Sequence, residues 1–255
     1  MYDRDIHISA SNLRDYWACN KRYQYRITSA KSSVATIYMT YGLIVHEGIE
    51  RMEKFSKPLE SILEWSLHEW EKANTVKVGF LGGDIPKPPR SFKNMYKSYV
   101  ENMKPKFAEG NAIVEKMFKL PYDKSRRIYI TGKMDRIDDF GVYDWKTGAR
   151  PPSENDLNDI QFYLYRWAHE KLYDKFPDSV YYGHLASGKL YNIDIKPTLV
   201  TNFENLLDRT AEAVYNAWQD EEAREGVGFP RIPGYQCNSC VFKGICDREL
   251  YESDR

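Results

Sequence analysis

Neither sign of charge dominates this sequence: 37 basic residues are balanced by 37 acidic ones over 255 residues. That balance excludes a generally basic coat for nucleic acid, although a local basic groove beside carboxylates stays possible. No apolar run is long enough to span a bilayer, and no basic-then-apolar leader opens the chain. A soluble, cytoplasmic protein with no membrane partner is therefore expected. No G-x-x-x-x-G-K-[ST] stretch occurs, which excludes a nucleotide-driven motor of that type within the chain. Cysteine is scarce, with four in all: Cys19 stands alone, whereas Cys237, Cys240 and Cys246 form a tight C-x2-C-x5-C trio. In a cytosolic chain such clustering points to metal-binding thiolates rather than disulfides. Hydrophobic residues at 42% and charged residues at 29% are ordinary for a globular fold. Aromatics make up 15%; most belong in a core, and the rest suit base stacking.

The pattern of apolar residues predicts helices first. Ser9 or Ser11 caps a helix to about Arg26, with Leu13, Tyr16, Trp17 and Tyr23 on one face. Further helices are expected over Thr40–Phe55, Leu59–Ala73 and Ser91–Phe107, with a Gly/Pro-rich loop from Gly82 to Pro89. Strands follow at Ala112–Leu120, Arg127–Ile137 and Gly141–Trp145, joined by hairpin turns at 121–126 and 138–141. A helix over Glu154–Tyr173 precedes two strands, Ser179–Leu185 and Leu190–Ile195, joined at Gly188. A long helix covers Thr198–Glu222, and the rest reads as loop. The order predicts an α/β fold with three consecutive parts: a helical region over 1–110, a core over 111–225, and a cysteine-bearing tail over 226–255.

Chemistry concentrates in two stretches, Gly132-Lys133-Met134-Asp135-Arg136-Ile137-Asp138 and Asp144-Trp145-Lys146-Thr147-Gly148. Strand alternation puts Asp144 and Lys146 on one face, and a hairpin can set Asp135 beside them. Two neighbouring carboxylates repel unless a divalent cation lies between them. A lysine alongside stabilises a hydroxide or a developing phosphorane. An Asp-x-Lys triplet alone is also what a solvated edge strand carries, so its company decides. His46, in Gly42-Leu43-Ile44-Val45-His46, is either a structural helix histidine or a ligand. Gln161 and Tyr165 lie one helical turn apart and share a face. Glu115 is a further acid, which alternation assigns to the solvent side of its strand.

Together these boxes resemble the PD-(D/E)XK nuclease superfamily, in particular the nuclease domains of RecB and AddB and the CRISPR-associated Cas-four exonucleases. Gly42–His46 resembles the G-x-x-x-H box, Gly132–Asp138 the G-x-x-D-R-x-D box, Asp144–Gly148 the D-x-K-T-G box and Gln161–Tyr165 the Q-x-x-x-Y box. The resemblance implies a restriction-endonuclease-like core, a mixed sheet flanked by helices. It implies that His46, Asp135 and Asp144 bind Mg2+ or Mn2+, with the Trp145 carbonyl as a further ligand and Glu115 as another acid. Lys146 becomes the catalytic lysine, and Gln161 and Tyr165 position DNA. The implied activity is exonucleolytic hydrolysis of DNA, preferring single-stranded ends, in recombination, repair, phage DNA metabolism or CRISPR adaptation. A helicase, recombination or CRISPR-integration partner fits such a role.

The cysteines resemble those of the iron–sulfur members of that family, in which a first cysteine from the N-terminal helix joins a C-terminal trio. Thiolates suit iron–sulfur clusters and zinc alike, but zinc sites usually show two tight pairs and here there is one. The resemblance favours a structural 4Fe–4S cluster held by Cys19, Cys237, Cys240 and Cys246. Asn20 follows Cys19 where the family often carries proline. Two other readings compete: a catalytically silent DNA-binding or scaffold protein retaining fold and cluster, and a zinc-stapled module with an unrelated core.

Overall fold

The computed structural model describes residues 5–28, 36–81, 86–108, 110, 112–224 and 226–253. The elements, in order, are β1 (Ile6–Ile8), α1 (Ala10–Ala18), α2 (Asn20–Thr28), α3 (Ile37–Phe55), α4 (Leu59–Leu81) and α5 (Phe92–Ser98). Strands β2 (Ile113–Asp123), β3 (Ile128–Asp138) and β4 (Gly141–Lys146) follow, then α6 (Glu154–Leu157) and α7 (Ile160–Tyr173). The chain continues through β5 (Val180–His184), β6 (Lys189–Asn192), α8 (Pro197–Ala223) and α9 (Lys243–Ser253). The strands form one mixed sheet of order β1-β3-β4-β5-β6, with β2 also on β3. β1 and β5 join their neighbours β3 and β4 in parallel, whereas β3–β4 and β5–β6 are antiparallel. An α/β fold with a mixed sheet flanked by helices is therefore what forms.

The chain divides into two compact units, each discontinuous in sequence. One unit comprises residues 1–34, 118–132 and 196–255. In it the rings of Tyr23, Trp218 and Phe229 pack against one another at tilted and edge-on angles. The buried stripe Phe203, Leu207, Ala211, Val214 and Trp218 gives α8 its packed face.

The other unit comprises residues 35–117 and 133–195 and has three layers. Tyr143 and Trp145 of β4 point into a core built from α3, α4 and α5, including Tyr41, Ile44, Ile49, Trp70, Phe92, Tyr96 and Tyr99. On the opposite face Val180 and Tyr182 of β5 pack against Phe162 of α7. β4 is buried along its first five residues, which suits a central strand covered on both faces. Gly183 of β5 makes room for this core: an added Cβ would collide with the Trp145 ring. Gly183→Val is therefore expected to destabilise the protein by about 1–3 kcal/mol through overpacking. A urea unfolding curve with lowered midpoint and unchanged slope would register it.

Several expected boundaries move. The expected helix to Arg26 is two helices, broken at Cys19, whose backbone is extended (φ −168°, ψ 118°). Ser9 is the cap: its side chain accepts from the Asn12 N–H. The expected helix Ser91–Phe107 stays α-helical only to Ser98, then widens at Tyr99–Met103 and tightens at Lys104–Lys106 around Pro105. Asp159 caps α7 afresh, which splits the expected Glu154–Tyr173 helix in two. The expected C-terminal loop contains a helix, α9, and strand β1 was not expected. Of the expected loop from Gly82 to Pro89, residues 82–85 lie outside the described residues, and α4 runs on to Leu81.

Candidate active site

The hydrogen-bonded register of β3 and β4 runs from Asp138↔Gly141 to Arg136↔Tyr143. Next to its end, the Trp145 N–H donates to Asp135 Oδ2 at 2.7 Å, so a side chain takes the strand amide. Asp135 and Asp144 are 3% and 2% exposed. Buried carboxylates persist only with partners. His46 of α3 supplies one, with Nδ1 3.2 Å from Asp135 Oδ1. Lys146 supplies another, its amine 2.7 Å from Asp144 Oδ2.

Gln161, in the first turn of α7, ties the acid to the base. Its Nε2 donates to Asp144 Oδ1 at 2.9 Å, and its Oε1 accepts from the Lys146 amine at 3.1 Å. Tyr165, one turn later, accepts from Gln161 Nε2 at 2.6 Å and donates to the Lys133 carbonyl at 2.6 Å. Gln161 therefore sets the amide and amine geometry, and Tyr165 sets Gln161.

Glu115 sits beside His46 and Asp135 and not on the solvent side of its strand. Strand alternation assigned it to solvent, but its backbone takes a left-handed conformation (φ 54°). This breaks the alternation of β2 as a bulge does and turns the side chain inward. It is 6% exposed and ion-paired with Lys133. One ligand atom each from His46, Glu115 and Asp135 lie within 4.8 Å of one another. Asp144 lies outside this group of three and is engaged by Lys146, Gln161 and Tyr165.

The electrostatics follow from crowding. Burial raises Asp144, and the neighbouring Asp135 adds to this against the pull of Lys146. Burial works against ionised Asp135 too, but His46, the Trp145 N–H and Lys146 outweigh it, so its pKa falls. Burial also raises Glu115 despite Lys133. Burial lowers Lys146 and His46, but the surrounding carboxylates outweigh it and raise both. The site is a buried cluster of acids held by cationic side chains.

Three supporting residues were not identified in the sequence. Lys133 shares a strand face with Asp135 by its i, i+2 spacing, which was the available signal. Arg90 donates to the Thr147 carbonyl at 2.6 Å. His184 is buried; its Nε2 donates to the Gly148 carbonyl at 3.0 Å while Nδ1 accepts from the Ser187 hydroxyl at 2.8 Å. Both hold the turn after Lys146, and nothing in their local sequence marks them.

A separate cavity of about 190 Å³ is lined by Cys19, Cys237, Cys240 and Cys246 together with Lys21, Arg22, Arg231 and Lys243. The Ile232 N–H approaches Cys19 Sγ at 3.4 Å and Arg231 Nε approaches Cys246 Sγ at 3.2 Å. Asn20 opens α2, and its side chain donates to the Tyr16 carbonyl at 3.0 Å. Among the described residues, no helix is long and apolar enough to cross a membrane.

The family model of the PD-(D/E)XK nuclease superfamily matches residues 7–247. No curated protein matches the sequence.

Proposed function

The chain belongs to the PD-(D/E)XK nuclease superfamily, and from its site we propose that it is a divalent-cation-dependent DNA exonuclease acting on single-stranded ends. The observation that carries this reading is the placement of Asp135, Asp144 and Lys146 in one buried cluster with His46, Glu115 and Gln161.

The residues fit a hard cation. Their donors are carboxylate oxygens and one imidazole nitrogen, a set suited to Mg2+ or Mn2+. Asp144 Oδ2 is buried with the Lys146 amine 2.7 Å away and no well-aligned hydrogen bond, an oxygen that a divalent cation would take over from the amine. Asp135, Asp144, His46 and Glu115 would hold the cation, with the Trp145 carbonyl as a further donor. When bound, it supplies Lewis-acid charge to the scissile phosphate and to an attacking water. Lys146 is kept protonated by its carboxylate neighbours. Beside the scissile phosphate it would supply positive charge to the developing phosphorane. Gln161 fixes the Lys146 amine, and Tyr165 is a positioning residue acting through Gln161.

Glu115 gives a direct test of the ligand set. Glu115→Gln should weaken Mn2+ binding by at least about tenfold, read by calorimetric titration. Unchanged affinity would make Glu115 merely the partner of Lys133.

For the thiol cavity we propose a 4Fe–4S cluster. The Ile232 N–H and Arg231 Nε that approach the Cys19 and Cys246 sulfurs suit an anionic cluster. Zinc sites usually bring two tight cysteine pairs, whereas Cys237 and Cys240 form one here. Iron and acid-labile sulfide content of the purified protein tests this; zinc without sulfide would refute it.

A further inference from the structure

α3 carries a stripe that its own packing does not use. At 100° per residue, Met39, Leu43, His46 and Glu50 fall within about 60° of arc. Met39 is 46% exposed and Leu43 is 65% exposed, whereas Tyr41, Ile44, Val45 and Ile49 are buried. Tyr38, 64% exposed, flanks the stripe beside Gly42. The Cβ position of Gly42 lies 3.5 Å from Thr147 Oγ1, in the turn that follows Lys146. Three large exposed apolar side chains therefore sit on the helix that carries His46, around the residue, Gly42, that approaches the turn after Lys146.

Scattered exposed apolar residues are ordinary; a contiguous set running out from a buried acidic site is not. The occupant must present apolar surface at the same place where it presents a phosphodiester. A duplex keeps its bases stacked inward, whereas a single strand offers their faces. The chain's balanced charge limits what phosphate attraction contributes to affinity, so base contacts carry more of it. Apolar and aromatic side chains supply such contacts without regard to sequence.

Resting on the hydrolase reading of the site, we propose that Tyr38, Met39 and Leu43 form a platform for the bases of a single DNA strand whose backbone phosphate lies at Asp135 and Asp144. From His46 the stripe extends about 10 Å along the helix axis to Met39, so bases immediately beside the scissile bond would rest on it.

The test uses the full-length protein and a labelled oligothymidine in Ca2+, with binding read by fluorescence anisotropy. The double variant Met39→Ser/Leu43→Ser should bind about tenfold more weakly than wild type, with an unchanged salt dependence. Tyr38→Ala, measured separately, should also weaken binding and keeps the test open if the double variant misfolds. An abasic strand of equal length should bind wild type and variants alike. Equal binding of oligothymidine by wild type and all variants would overturn the platform, as would an equal loss on the abasic strand. Binding is read without turnover, so failure of the hydrolase reading shows separately, as wild type that cuts no DNA in Mn2+.

Discussion

Lys146→Ala is expected to lower Mn2+-dependent cleavage of end-labelled single-stranded DNA by about 10²–10³-fold at saturating cation, the usual cost of losing one charged stabiliser of a transition state. Mn2+ affinity should stay the same or tighten. The Lys146 amine lies 2.7 Å from Asp144, so its removal leaves that buried carboxylate more available to the ion. This opposite movement of rate and affinity separates a catalytic charge from a structural one. Lys146→Arg should not restore the rate, because a planar fork cannot replace a point charge held by Gln161 Oε1. Initial rates and calorimetric titration on the same preparations check both halves. Equal rates for wild type and Lys146→Ala would remove the lysine from the chemistry.

The second large effect concerns the four-cysteine cavity, with the cluster proposed for it. Cys240→Ala is expected to yield colourless protein, with loss of at least about 3 kcal/mol of stability, since metal binding at such a site is coupled to folding. The reason lies in the connectivity: Cys19 closes the break between α1 and α2, while the other three cysteines flank the turn before α9. Iron content, visible absorbance and thermal unfolding report the outcome. A brown wild type alongside an equally stable Cys240→Ala would contradict it.

Much of this was legible in the sequence, because the residues that carry chemistry lie where regular periodicity holds. Asp144 and Lys146 share a strand face, and Gln161 and Tyr165 share a helix face, so their spacing alone pairs them. Glu115 was not legible in this way. Its left-handed backbone inverts the alternation that would put it in solvent, and no glycine marks the position. Cys19 stops a helix by adopting an extended backbone, although helical periodicity continues across it to Tyr23. β1 has only three residues, too few for a strand pattern, and is fixed by its parallel register with Ile128–Ile130. Arg90 and His184 hold the turn after Lys146 through backbone carbonyls that lie 57 and 36 residues away in the chain. Such contacts exist only after folding.

The order of events at the site also follows from its packing. Asp135 is pinned by a backbone amide and His46, whereas Asp144 is engaged by side chains alone. A cation held as proposed would require Lys146, Gln161 and Tyr165 to release Asp144 and Lys133 to release Glu115, a rearrangement of side chains on a sheet whose other face is filled by Tyr143 and Trp145.

Anomalous diffraction from crystals soaked in Mn2+ tests the central claim most directly. A single strong peak should lie among the side chains of His46, Glu115, Asp135 and Asp144, and it should vanish in Asp135→Asn. Manganese bound only elsewhere, in protein that still degrades DNA, would contradict the account.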